Sequence, residues 1–200
     1  MNVLIAGRTK MGGTGRCIGG LLDDGTAVRL LRAGSHHWDT TAPFQIGDTW
    51  DLSFHAAAQR PAPHTEDVVV TGGNKIGTVP NVRARLLQLS PPHKGGINQL
   101  FQGFLGFTGN KNGYISEWRG VPDHSTGFWI PDRELALRDD GKHYDYTRGF
   151  FQGGLSYVGE PTPNPSIPAG TLVRVSLAGW WKPDDSDIEP RCYLQLSGWF

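Results

Sequence analysis

The segment Thr171–Phe200 carries the clearest alternation of apolar and polar positions in the chain. Val173, Val175 and Leu177 alternate with Arg174, Ser176 and Ala178, and beyond the loop KPDDSDIEP, Cys192, Leu194 and Leu196 alternate with Tyr193, Gln195 and Ser197. A period of two on both sides of a loop predicts a pair of half-buried strands. The apolar sides are assigned to a core. The other sides bear Arg174, Trp180, Tyr193 and Gln195, so the closing sheet is expected to offer cationic and aromatic groups that suit a flat, anionic partner.

Upstream, short apolar runs separated by turn residues recur. Asn2–Ala6 predicts a first strand, and Cys17–Leu22 with Ala27–Leu31 predicts a hairpin closed at Asp23–Gly25, where Asp-Gly tolerates positive φ. Gln45–Phe54 and Asp67–Thr71 read as further strands. Asn81–Leu89 has helical spacing, with Val82, Leu86 and Leu89 on one side and Asn81 as N-cap. After SPPHKGG at 90–96, the best linker in the sequence, Ile97–Phe107 reads as a short helix fraying into a glycine-rich loop. Strands follow at Thr126–Asp132, in a hairpin around Asp140-Gly141, and at Gly153–Glu160. About five strands per half match the count of a small Greek-key barrel of the OB type. The expected fold is all-β to β-rich α+β, two consecutive OB-like Greek-key barrels with short helices, over 1–90 and 95–200.

Composition agrees with many short strands: 38% of residues are hydrophobic, and 28 glycines and 14 prolines leave no room for long helices. Nineteen basic and nineteen acidic residues cancel, which excludes a polycation that coats nucleic acid indiscriminately. Anion binding must then be local. No acid lies between Asp67 and Glu117, where Lys75, Arg83, Arg85, Lys94 and Lys111 occur, and residues 1–35 hold Arg8, Lys10, Arg16, Arg29 and Arg32 against Asp23 and Asp24. Acid collects late, at Asp184, Asp185, Asp187 and Glu189. Solvated faces and a solubilising loop account for the same distribution. Cys17 and Cys192 lie in apolar strand patterns without a CxxC partner and read as buried, reduced thiols. The opening Met-Asn-Val-Leu has no signal-peptide pattern and no long apolar run occurs, so the expected location is the cytoplasm, with no membrane partner.

Candidate chemistry is thin. Gly12–Gly19, GGTGRCIG, has dinucleotide-loop residue types, but Arg8–Gly12 separate it from the first strand and an Asp-Gly turn follows, so a loop between strands is the better reading. Seven histidines show no metal-ligand spacing, and no cofactor or metal is expected. Asp123, His124 and Ser125 are triad residue types, yet neighbours on an extended chain point apart and no GxSxG surrounds Ser125. Asp132, Glu134, Asp139 and Asp140 fit a solvated hairpin. The aromatics say more: Trp118, Phe128, Trp129, Tyr144, Tyr146, Trp180, Trp181, Tyr193 and Trp199 all fall in the second half, and the pairs Phe128-Trp129 and Trp180-Trp181 place one ring on each side of a strand. Exposed rings serve base stacking or a protein partner.

The motifs NVLIAGRTK, GRCIGG, DGTAVRLLR, FQIGDTWDLSF, GVPDHSTGFWIPD, IPAGTLVRVSLAGWW and PRCYLQLSGWF resemble the dual OB-containing domain proteins of bacteria over essentially the whole chain. The resemblance implies two consecutive OB-like barrels, binding of nucleic acid or another extended ligand, and an accessory or sensor role in bacterial operons, including antiviral defence systems. It carries over no catalytic residues. The expected function is therefore a non-catalytic module that binds single-stranded or structured nucleic acid. Expected phosphate contacts are Arg8, Lys10, Arg16, Arg29 and Arg32, with Arg119, Arg133 and Arg174, and expected stacking groups are Trp118, Trp129, Trp180 and Tyr193. The alternatives are a subunit that docks a larger effector protein and a sensor of a small nucleotide ligand held by the glycine-rich loops at 12–20 and 108–113.

Overall fold

The structure is a computed structural model that describes residues 1–184 and 186–200; of the acidic loop, Asp185 lies outside the described residues. The protein is an all-β chain with a few short helices, divided into two compact units, 1–61 with 65–91 and 200, and 62–64 with 92–199.

The first unit holds β1 (Asn2–Lys10), β2 (Arg16–Leu22), β3 (Ala27–Leu31), β4 (Asp48–Ala56) and β5 (Asp67–Thr78). They close into a barrel in the order β1-β2-β3-β5-β4, antiparallel except for the parallel pair β3-β5. Alternate residues of these strands, Val3, Ile5, Ile18, Val28, Leu30 and Leu52, fill the interior with Phe44 from the β3–β4 connection. Gly20 permits the close approach of β2 to β1, since a Cβ there would lie 3.1 Å from the Leu4 carbonyl and closer still to Val3 Cγ1. A single helix, α1 (Val82–Leu89), follows β5, and Asn81 caps it by accepting from the Ala84 amide at 2.9 Å. The 11–15 loop joins β1 to β2 directly, so GGTGRCIG opens a strand and no helix N-terminus stands ready for a phosphate.

The second unit contains β6 (His93–Gly95), β7 (Gly106–Phe107), β8 (Gly113–Ser116), β9 (Thr126–Pro131), β10 (Leu135–Leu137), β11 (His143–Arg148), β12 (Phe151–Tyr157), β13 (Ser166–Ile167), β14 (Val173–Leu177) and β15 (Arg191–Trp199). Their order is β13-β10-β11-β12-β15-β14-β9-β6, with the β7-β8 ribbon joined to β15 through β8. The core of this unit includes Ile97, Ile115, Trp129, Tyr144, Tyr146 and Leu194. Ten strands stand where about five were expected, because β6, β7, β8 and β13 are two to four residues long and too short to show alternation. The helix expected over Ile97–Phe107 is instead two 3₁₀ turns, Ile97–Gln99 and Phe101–Gly103, broken where Phe101, Gln102 and Gly103 take positive φ. Among the described residues no helix is long and apolar enough to cross a membrane, and no group of acids, histidines and cysteines is placed to hold a metal ion.

Candidate nucleic-acid interface

β15 shows how the sequence pattern becomes a surface. Cys192, Leu194 and Leu196 are buried on the core side, which turns Arg191, Tyr193 and Gln195 outward. β8 lies antiparallel beside it with Tyr114 opposite Tyr193. Gly113 faces the core, where a Cβ would sit 3.0 Å from Leu194 Cδ2, and this orients Asn112 and Tyr114 outward. The Tyr114 and Tyr193 ring centroids are 6.2 Å apart. On the far side of β15, Trp181 exchanges two backbone hydrogen bonds with Arg191 at 2.9 and 2.8 Å, which places its indole 6.1 Å from Tyr193 with 55% of the residue exposed.

Cations edge this row of rings. The Arg191 guanidinium lies 4.0 Å over the Tyr114 ring and 3.2 Å from Glu189. Burial works against its charge, but Tyr193, Tyr114 and Glu189 outweigh it and hold Arg191 above the ordinary arginine value. Arg119 donates to the Phe104 and Leu105 carbonyls, and its side chain crosses Gly106 next to the Tyr114 ring, in space a Cβ at 106 would occupy. Lys111 donates to the Gln152 side chain. Arg138 bonds Asp145 at 2.7 Å and Asn112 Oδ1 at 3.1 Å, and it lies across Gly154, where any side chain would collide with it. With neighbouring strands about 4.8 Å apart, the strip from β12 through Asn112-Tyr114 and Tyr193 to Trp181 spans about 14 Å, enough for a few extended nucleotides.

Two residues expected from the sequence, Arg119 and Tyr193, meet in this strip, and Trp118, 82% exposed, is next to Arg119 in the turn after β8. Others lie elsewhere. Trp129 is fully buried with its indole N–H donating to the Gly95 carbonyl at 2.8 Å, so it is a core ring and not a stacking group. Trp180 is half-buried and donates to the Ala62 carbonyl at 2.9 Å. Arg8 is buried and donates to the carbonyls of Thr40, Ala42 and Phe44, which makes it a staple of the β3–β4 connection and not a phosphate contact. Arg174 is buried as well, which removes it from the outer surface. Arg29, on the outer side of β3, is engaged by both carboxylate oxygens of Asp67, one at 2.7 Å, so its charge is neutralised. Arg16 donates to the Thr14 and Gly15 carbonyls, and Arg32 lies 3.4 Å from Asp39. Lys10 and Arg133 are exposed.

Tyr114, Trp181, Arg191 and Lys111 were not singled out as binding residues from the sequence. Alternation says that one ring of Trp180-Trp181 faces out, but only the acceptor at Ala62 decides which. Tyr114 was hidden in a glycine-rich stretch whose short strands have no visible period.

Barrel order and parallel β3-β5 pairing describe a five-stranded Greek-key barrel, and a family model for the dual OB-containing domain matches residues 1–199. The chain belongs to the dual OB-containing domain family. No curated protein and no solved structure shows a significant match to it. A dual OB-containing domain is an OB-fold binding module, and OB barrels commonly bind along strands 2 and 3. In the first unit of this dual OB domain that outer side carries the Arg29–Asp67 pair, whereas the second unit carries the rings and the unneutralised cations Lys111 and Arg119.

Proposed function

We propose that this dual OB domain is a non-catalytic module that binds single-stranded nucleic acid along the Tyr114–Tyr193–Trp181 strip of its second unit. The carrying observation is the row of outward rings edged by Arg119, Arg191 and Lys111 on one side of a sheet. Bases stack on the rings, and the cations meet the phosphates. Arg191 and Arg138 are already set against Glu189 and Asp145, so stacking supplies most of the affinity and salt weakens it only moderately. Binding without chemistry fits an accessory or sensor role beside an effector that acts on the bound strand.

Fluorescence anisotropy with labelled oligothymidine tests this reading. Loss of affinity in Trp181→Ala and Tyr193→Ala supports it, and unchanged affinity in both removes it. A second reading, docking of a larger effector protein, is favoured by the bare rings of Trp118 and Phe150 and by the balanced charge of the chain. It gains if the purified protein holds a stoichiometric polypeptide partner through high salt and binds no oligonucleotide.

A further inference from the structure

The β11-β12 hairpin ends in the most exposed large apolar side chain of the described residues. Arg148 pairs with Phe151, which leaves Gly149 and Phe150 as a two-residue turn, and Gly149 supplies the positive φ, +60°, that such a turn takes at its first position. Phe150 is fully exposed, so both sides of its ring are open. Below the tip the hairpin is anchored: Phe151, still partly exposed, packs edge-on against Phe107 at 5.1 Å, and Gly153 fits under Phe107 and Ile97 with no room for a Cβ. A firmly seated arm therefore holds out one bare ring. Arg148, which ends β11 and lies 3.5 Å from Asp132, and Lys111, bonded to Gln152, put cationic side chains at the base of the tip. Gln152 borders the strip, and Phe150 precedes it by two residues, about 7 Å along a strand.

The rings of the strip lie along a sheet and offer one side to a base, whereas Phe150 can be enclosed from both sides. A narrow apolar tip with cations at its base has the shape and charge of a wedge that enters a base step. We propose that Phe150 caps the last base pair where a duplex opens, while the released strand continues along the Tyr114–Tyr193–Trp181 strip. This rests on the single-strand reading above and adds a preference for single-strand/double-strand junctions.

The test compares a forked duplex with its unpaired strand alone, both fluorescein-labelled, against the wild-type chain, Phe150→Ala, Phe150→Trp and the Trp181→Ala/Tyr193→Ala pair. Phe150→Ala is expected to weaken fork binding about tenfold while single-strand binding changes less than about twofold, and Phe150→Trp to keep fork affinity. Equal fork affinity in wild type and Phe150→Ala overturns the wedge, and an equal loss on both probes overturns it too, because Phe150 is then an ordinary stacking contact. If the wedge fails while the Trp181/Tyr193 pair still abolishes single-strand binding, the strip stands alone. If no probe binds the wild-type chain, both ideas fall. Phosphatidylserine vesicles serve as the contrasting probe: binding that Phe150→Ala removes, with fork affinity untouched, makes the tip a lipid contact and overturns the wedge.

Discussion

Replacing Trp181 by alanine separates binding from folding better than any other change in the strip. The residue is more than half exposed and its ring packs on Tyr193 from one side, so its removal opens no cavity and costs about 0.5 to 1.5 kcal/mol of ring-pair energy. Stacking of one base on such a ring is worth about 1 to 3 kcal/mol, and with 1.4 kcal/mol per decade the dissociation constant rises about fivefold to 150-fold. Tyr193→Phe keeps the ring and should bind like the wild type, whereas Tyr193→Ala should lose affinity in the same range. The assay is anisotropy of labelled oligothymidine over a series of salt concentrations, with a melting curve for each variant. Lys111 and Arg119, both bonded to neutral groups, imply about two phosphate contacts and a log-log salt slope near −1.4. An affinity for Trp181→Ala within about twofold of wild type, or a slope steeper than about −4, would refute the reasoning, because cations elsewhere would then dominate.

Other outcomes follow from single side chains. Arg8→Met removes three hydrogen bonds from a buried guanidinium and should destabilise the first unit by about 3 to 5 kcal/mol, read as a melting shift beyond about 10 °C, with oligonucleotide affinity of the folded protein unchanged. Burial pushes the Cys192 thiol up to about 12, so iodoacetamide at pH 8 should label Cys17 in the folded protein and reach Cys192 only in denaturant, as mass spectrometry would show. The Lys142 amide, then His143, holds the Asp140 carboxyl down to about 2. A depressed carboxylate stabilises above its unfolded value, near 3.8, and loses that contribution as pH falls toward 2. The melting difference between wild type and Asp140→Ala should therefore shrink as pH falls from about 4 toward 2; a difference that grows over that range contradicts it.

The elements legible in the sequence were those whose local chemistry and tertiary setting agree. The Asp-Gly turn of β2-β3, the Asn81 cap and the alternation of β14 and β15 each specify their structure within a few residues. β5 runs seven residues past its β-branched start because β4 pairs with it across Gly72 and Gly73, a long-range cause that composition conceals. The site was legible as a type of surface more than as a set of residues. A buried arginine and an exposed one look alike in sequence: Arg8 and Arg119 differ only in which carbonyls the fold brings to them. Phe128-Trp129 departs from the one-in, one-out rule because both rings are buried.

The three residues Ala62–His64 group with the second unit although the chain reaches them between β4 and β5 of the first. Trp180 takes its acceptor from Ala62, and His64 lies 3.9 Å from the Cys192 sulfur. A cloning boundary at residue 91 would thus amputate part of one half while leaving it dangling on the other. Deletion experiments on this protein are better made by point substitution than by cutting it in two.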